Sequence, residues 1–160
     1  MKKIIIYAVI TLGLSGPFFL TSCKKEEPIK PKTKTELLCS SPWKIYEQTI
    51  NPGIKIVGGA TITDVFAQLD PCDKDDLVLY KSNGTATLDE GPTKCDPLDL
   101  QTSTFTWTFN PDETKLIEDT DTYDIIQLDE KVLKLSIIID GEDIGGIAGV
   151  KYVLTSTSKH

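Results

Sequence analysis

The chain has 160 residues and a formal net charge of −7, and its 17 basic residues are all lysine. This length fits one domain with a hydrophobic core, and 39% hydrophobic and 26% charged residues are ordinary proportions for a folded protein. An acidic surface without arginine repels phosphate backbones and lacks the planar side chain that clamps them, so nucleic-acid binding is not expected.

The first 22 residues have the composition of a signal peptide. Lys2 and Lys3 form a positive start, and the apolar residues 4–20 are interrupted by glycines and Pro17. This apolar segment is short and broken for a membrane span, but it suits the central region of a signal peptide. Residues 1–22 are therefore predicted to direct export and to be removed.

The next residue, Cys23, ends the sequence "LTSC", which resembles the bacterial lipobox. This resemblance implies that the Cys23 thiol carries lipid and that acyl chains such as palmitate anchor the protein in the outer membrane. The following "KKEE" resembles the export signal of surface lipoproteins of the Bacteroidetes, which implies exposure at the cell surface. The alternatives are a solvated tether on a periplasm-facing lipoprotein, a secreted protein with an incidental cysteine, and an uncleaved anchor.

Residues 23–35 comprise the lipidated cysteine and the sequence "KKEEPIKPKTKT". This segment has two prolines and almost no apolar side chains, so it cannot bury enough surface to fold. It is predicted to be a flexible tether, and the folded domain is predicted to span residues 36–160.

From this point the sequence mostly alternates between apolar and polar residues, which is typical of β-strands. Asn83-Gly84 is a strong hairpin signal, and most links between strands are too short for crossover helices. A short helical turn is expected at residues 35–38 and a helix over residues 63–70, which could plug one end of a barrel. The pattern predicts an all-β fold, either an up-and-down barrel or a sandwich, with strands at about 43–50, 76–81, 85–89, 103–109, 115–119, 122–128, 131–139 and 149–156.

Several short motifs are similar, in order and spacing, to those of the lipocalin-like lipoproteins of Bacteroidetes. They are "WKI" at 43–45, "DPCDKDD" at 70–76, "NGT" at 83–85, "KCD" at 94–96 and "FTW" at 105–107. The resemblance covers about residues 36–156 and implies an eight-stranded antiparallel lipocalin-like barrel. The chain departs from true lipocalins in having Ser41-Pro42-Trp43 for their Gly-x-Trp and no arginine to pack over the tryptophan. Their ligands are therefore not carried over.

Three cysteines follow the lipidated one. Cys72 and Cys95 lie almost equally far from the Asn83-Gly84 turn, so a hairpin would bring them together, and the cell envelope is oxidising enough to join them. Cys39 is then expected to be a small core residue. Pairing of Cys39 with either of the other two is the alternative, because connectivity cannot be read from sequence.

Acidic residues form two clusters with possible calcium ligands: Asp70, Asp73, Asp75 and Asp76, and Glu118, Asp119, Asp121 and Asp124. Solvated turns are the preferred interpretation, because neither cluster has the glycine-centred spacing of an EF-hand. His160 is the only histidine, no cysteines have the spacing of a zinc site, and no phosphate-binding loop occurs. We therefore expect neither an enzyme nor a cofactor or metal.

The predicted function is non-covalent binding of a small, partly apolar ligand inside the barrel of an outer-membrane lipoprotein. An eight-stranded barrel has an interior just wide enough for packed side chains or one small ligand. The alternative is an interaction module with a solid core, which docks another envelope protein or a glycan through its outer faces or loops. The candidate ligand-lining residues are Trp43, Phe105, Trp107, Phe109 and Tyr152.

Overall fold

Nine β-strands form one antiparallel sheet in the computed structural model, which describes residues 30–55 and 58–160. One short α-helix and two single-turn 3-10 helices, Phe66–Gln68 and Gly141–Ile144, complete the secondary structure of this part. The elements in chain order are α1 (Lys34–Leu38), β1 (Lys44–Lys55), β2 (Thr61–Asp64), β3 (Leu77–Lys81), β4 (Thr85–Asp89), β5 (Thr102–Phe109), β6 (Lys115–Glu118), β7 (Asp121–Leu128), β8 (Val132–Asp140) and β9 (Lys151–Lys159).

The strand order is β2-β1-β9-β8-β7-β6-β5-β4-β3, so each strand from β3 to β8 pairs with the next along the chain. β1 adds to β9, and the two edge strands are β2 and β3. One isolated bridge joins the residue before β1 to edge strand β3, because Trp43 and Val78 exchange two backbone hydrogen bonds of 2.8 Å. The eight expected strands are present, with one more, and the antiparallel all-β prediction is confirmed.

The additional strand arises where the sequence suggested a helix over residues 63–70. Thr63 lies in β2, and only the turn Phe66–Gln68 is helical. β2 pairs with the last part of β1, which runs to Lys55 rather than ending near residue 50. Close approach of the two strands requires glycine at position 53, because a Cβ there would lie 2.5 Å from Thr61 Cγ2. This strand pairing replaces the predicted helix.

The turn at Asn83-Gly84 joins β3 and β4 as the sequence predicts. The two strands are in register up to Lys81 and Thr85, which leaves a three-residue loop between them. Gly84 has φ +84°, and the Asn83 side-chain oxygen accepts a hydrogen bond of 3.1 Å from the Thr85 amide. A glycine in the left-handed region is what a three-residue hairpin loop of this type needs.

α1 covers one end of the sheet, the position that the sequence suggests for residues 63–70. Thr33 and Glu36 form a capping box, in which each side chain accepts a hydrogen bond from the other residue's amide. The helix places Leu38 fully inside the core, and its carbonyl accepts a 2.8 Å hydrogen bond from the Trp43 indole. The Lys34 ammonium donates to the Glu113 carbonyl in the β5–β6 turn. We call this region, with the turns 82–84, 110–114 and 129–131, the helix end.

The folded unit begins at Pro31, a few residues before the predicted boundary at 36. Lys32 forms an exposed ion pair of 2.8 Å with Glu130, and Thr33 already caps α1. The end of the expected tether is thus part of the folded unit, because Thr33 caps the helical turn that the sequence predicts at residues 35–38. The predicted signal peptide, Cys23 and residues 24–29 lie outside the described residues.

Candidate ligand-binding cavity

A partly open cavity of about 510 Å³ lies on the inner side of the sheet. Its lining residues come from β1, β3 and β6 to β9, and they include Ile45 of β1 and Val78 of β3. β1 lies next to the edge strand β2 in the strand order, and β3 is the opposite edge strand, so the sheet curves until strands from its two sides face one space. The volume is in the range of pockets that hold small molecules.

The walls of the cavity are mainly apolar. Leu133, Leu135 and Ile137 follow each other at alternate positions of β8, and Leu154 lies opposite Ile137 on β9. Alternate residues of a strand share a face, so this row follows directly from the sequence "VLKLSIIID". Small polar residues of β9, Ser156 and Ser158, lie on the same wall and leave the space that larger side chains would fill.

Every charged side chain that lines the cavity within the described residues is acidic. These residues are Asp76, Glu118, Asp121, Asp140 and Asp143. In the antiparallel order, the start of β3, the end of β6, the start of β7 and the end of β8 all lie at the same end of the sheet. We call this the acidic end, and it lies opposite the helix end. The cavity therefore has apolar walls and a negative end.

Among these acids, Glu118 is more deeply buried than Asp76, and its side chain has a hydrogen-bond partner. The buried Tyr80 hydroxyl donates a hydrogen bond to Glu118 Oε1. Burial raises the pKa of the Glu118 carboxyl, and the hydrogen bond from Tyr80 offsets part of that rise. Burial and the Glu118 charge raise the pKa of Tyr80 well above its usual range, so Tyr80 remains the donor. The pair fixes one carboxylate at the cavity wall.

Asp76 has an oxygen without a protein partner. Its Oδ1 is buried, and no described protein group donates a hydrogen bond to it. Burial, followed by the nearby carboxylates of Glu90, Asp73, Asp75 and Asp89, raises the pKa of Asp76 to about 6. Asp76 also lines the cavity, and a partly buried carboxylate surrounded by like charge favours a cationic donor that approaches it.

Trp43 is the one predicted ligand-lining residue that the structure places at the cavity wall. Its ring lies 3.8 Å, centroid to centroid, from the ring of His160 at an angle of 36°. The His160 ring is held by the Ser41 hydroxyl and the Pro42 carbonyl, at 2.5 Å and 3.1 Å from its Nδ1. The tryptophan is thus enclosed by the chain on one side and faces the cavity on the other.

Phe105, Trp107 and Phe109 share one face of β5 as the sequence predicts, but they are not part of the cavity lining. They pack edge to face with one another and with Tyr80, with ring centroids 5.3–6.2 Å apart. The Trp107 indole donates to the carbonyls of Lys81 and Thr85, both at 3.0 Å. Aromatic packing near the helix end is therefore their main role, and Trp107 and Phe109 also border a second, more open pocket of about 290 Å³ beside the turns 82–84 and 110–114.

Tyr152, the fifth predicted lining residue, supports a loop instead. Its hydroxyl accepts a 3.1 Å hydrogen bond from the Ile147 amide in the loop between β8 and β9. A Cβ on Gly146 would lie 2.8 Å from the Tyr152 ring, so a glycine is required there. The glycines of "DGEDIGGIAG" thus allow a 3-10 turn and close packing on Tyr152, where the sequence suggested only a flexible loop.

Cys72 and Cys95 form a disulfide that joins the segments on either side of the β3–β4 hairpin, with Cα atoms 5.3 Å apart. This is the pairing that the sequence favoured. Cys39 is the free cysteine of the described residues, and its partial burial raises the pKa of its thiol. Cys72, Asp73 and Cys95 have ligand atoms within 4.8 Å of one another. Both sulfur atoms are already bonded to each other, so this group offers no thiolate to a metal.

The remaining residues of the two acidic clusters have local structural roles. Asp75 Oδ2 accepts hydrogen bonds from the amide and hydroxyl of Thr93, and Asp119 does the same for Thr106. These bonds lower the pKa of Asp119. Asp124 forms an ion pair with Lys115. The clusters are therefore divided between turn stabilisation and the cavity wall.

The sequence-based reasoning missed the acids of the cavity, although a signal for them was present. Asp76 continues the inward row of Val78 and Tyr80, and Glu118 continues the inward position of Leu116. Alternate residues of a strand share a face, so an acid two positions from an inward apolar residue also points inward, unlike an acid in a turn. This two-residue spacing could have separated the cavity acids from the solvated ones.

Comparisons with protein-family models and with curated proteins found no match for this chain. Among the residues that the structure describes, no helix is long and apolar enough to cross a membrane.

Proposed function

We propose that the protein is a lipid-anchored outer-membrane lipoprotein whose sheet forms a lipocalin-like barrel that binds a small, partly apolar ligand without covalent chemistry. The cavity of about 510 Å³ with apolar walls is the observation that carries this proposal. Burying about 200 Å² of apolar ligand surface contributes about 5 kcal/mol before the costs of association, which suits reversible binding.

Two observations support the barrel. The residues Trp43 and Val78 exchange backbone hydrogen bonds between the start of β1 and edge strand β3. Residues of β1 and β3 also line the same cavity, although these strands are far apart in the strand order. On this proposal, the contact between Trp43 and edge strand β3 is the weak seam at which the curved sheet approaches closure.

The lipid anchor is supported by the sequence alone. The lipobox-like "LTSC" follows an apolar segment in the expected register, and "KKEE" follows Cys23. On this proposal, acyl chains on Cys23 hold the domain at the outer membrane, with the cell surface as the expected face. Protease treatment of intact cells tests the orientation, because complete protection of the domain would contradict surface exposure.

Ligand binding is tested with full-length protein purified from its own host. Native mass spectrometry should detect a retained small molecule, and an apolar fluorescent probe should compete for the same space. Ser158→Phe places a large ring in the cavity and should abolish probe binding. Val153→Phe is the matched control, because Val153 lies on the same strand, is 39% exposed and does not line the cavity. Equal probe binding by both variants would contradict the proposed site.

The alternative function, docking of a protein or glycan, has one observation in its favour. Leu98 and Leu100, in the loop between β4 and β5, are 91% and 79% exposed. Exposed leucines on a loop are suited to a partner surface. If the Leu98→Ser/Leu100→Ser double variant lost a captured envelope partner while probe binding stayed intact, the loop would have a function separate from the cavity.

A further inference from the structure

Resting on the proposed function, we infer that the ligand of the cavity is a small organic cation, an apolar body that carries a protonated amine. The apolar body would lie against Leu133, Leu135 and Leu154, and the ammonium group would lie at the acidic end beside Asp76 and Glu118.

The charge of the lining carries this inference. The five acidic residues of the acidic end face the cavity, and no lysine does so among the described residues. Asp140 has a lysine partner, Lys151, at 2.5 Å, and both side chains are at least half exposed, so this pair belongs to the rim. Within residues 30–55 and 58–160, no ion pair joins a lysine to any of the other four acids. Like charges that share a low-dielectric cleft concentrate cations and repel anions.

The positions of hydrogen-bond acceptors point in the same direction. Asp76 Oδ1 is buried without a protein donor, and Glu118 receives only the Tyr80 hydroxyl among the described contacts. An ammonium group has three donors and no acceptor, so it complements this set of carboxylate oxygens. Tyr123 and Trp43 also line the cavity, and aromatic faces attract organic cations.

A single metal ion fits this arrangement less well than an organic cation does. A metal needs several ligand atoms close together, and the only such group in the described part of the chain is Cys72, Asp73 and Cys95, outside the cavity. The cavity acids are distributed around the acidic end rather than gathered at one point. Apolar walls beside distributed charge suit an elongated amphipathic molecule.

The test compares three ligands with the same ten-carbon chain: decylamine, decanol and decanoate. Calorimetric titration of the full-length protein is made near neutral pH and below the micelle concentrations. Decylamine should bind about tenfold or more tightly than decanol, and decanoate should bind most weakly, because only the amine makes charge-assisted hydrogen bonds. Its affinity should fall with added salt, whereas that of decanol should not.

Two variants locate the effect. Asp76→Asn and Glu118→Gln keep the side-chain size and should each weaken decylamine binding about tenfold, with decanol binding unchanged within about twofold. Asp99→Asn is the matched control, because it removes the same charge from a residue that does not line the cavity. An equal loss in the control would assign the preference to net charge and overturn the site.

The possible failures are distinguishable. If decanol or decanoate binds as tightly as decylamine, the inferred cation preference is overturned while the proposed ligand-binding function stands. If none of the three binds and the apolar probe does not bind either, the proposed function itself fails. The head-group comparison uses the unmodified protein, so it decides the question even if one variant does not fold.

Discussion

Removing the disulfide between Cys72 and Cys95 should destabilise the domain by an amount that follows from the loop it closes. The two cysteines are separated by 23 positions, and the loop contains the complete β3–β4 hairpin. The chain-entropy relation for a loop of this length gives a loss of about 3 kcal/mol. For a folded unit of about 130 residues, this corresponds to a fall in Tm of about 11 °C.

The physical reason lies mainly in the unfolded chain. In the folded protein, the hydrogen bonds from Thr93 to Asp75 already hold the two segments near each other, so the disulfide adds little to native geometry. In the unfolded chain it removes a large set of conformations. The Cys72→Ser/Cys95→Ser variant should therefore keep the fold and lose stability.

Urea unfolding of the oxidised protein, the reduced protein and the double variant measures this effect. Reduction and double substitution should give the same loss of stability. Cys39→Ala is the control: it should lose as much stability on reduction as the unaltered protein does, because Cys39 is not part of the disulfide. A loss below about 1 kcal/mol would refute the loop-closure reasoning, because it would mean that the unfolded chain gains little freedom. A larger loss after substitution than after reduction would indicate altered native packing at the two sites.

Three further predictions concern the cavity, the core and the anchor. The pKa of Asp76 is raised to about 6, so between about pH 4 and pH 6 the folded protein holds a proton that the unfolded chain has lost. The free energy of unfolding should therefore fall as pH rises through this range. Asp76→Asn should flatten this part of the dependence of stability on pH and stabilise the protein near pH 7 by about 1 kcal/mol, because partial solvation reduces the effect of the pKa shift. A pH dependence unchanged by the substitution in denaturant titrations would contradict this. Leu116→Ala should cost about 2–5 kcal/mol of stability in urea unfolding, because Leu116 is fully buried. Ile126→Ala, at a 59% exposed position, should cost less than about 1 kcal/mol. Similar losses in the two variants would contradict the assigned core. Cys23→Ala should prevent palmitate incorporation and release the protein from the envelope fraction, and a labelled or membrane-bound variant would refute lipidation at this residue.

Strand positions could be predicted from the sequence because alternation is a local property. Phe105, Trp107 and Phe109 do share one face, and Asn83-Gly84 does form a hairpin. What alternation cannot supply is which inward side chains meet across the sheet. The aromatic row of β5 meets Tyr80 and becomes solid core, while the smaller residues of β9 leave the cavity open.

The missed elements have a similar explanation. The first strand, expected to end near residue 50, continues through Pro52 and Gly53 to Lys55, and a register shift against β2 accommodates this irregular part. Asp64 does cap a turn, since its Oδ1 accepts a hydrogen bond from the Ala67 amide at 2.9 Å, yet the turn ends after one 3-10 helix. The pairing partner β2 begins at Thr61, shortly after β1 ends at Lys55, but a four-residue strand has too little alternation of its own to reveal the pairing.

The partly buried thiol of Cys39 is the background against which a thiol at position 23 can be detected by chemical labelling. Thiolates rather than thiols react with maleimides, and the raised pKa of Cys39 keeps its thiolate scarce near neutral pH. With Cys72 and Cys95 bonded to each other, labelling of the Cys23→Ala variant reports on Cys39 alone, and additional labelling of the unaltered protein would show a free sulfhydryl at position 23. A single fluorophore band on a gel would then distinguish unprocessed polypeptide from the acylated form in one lane.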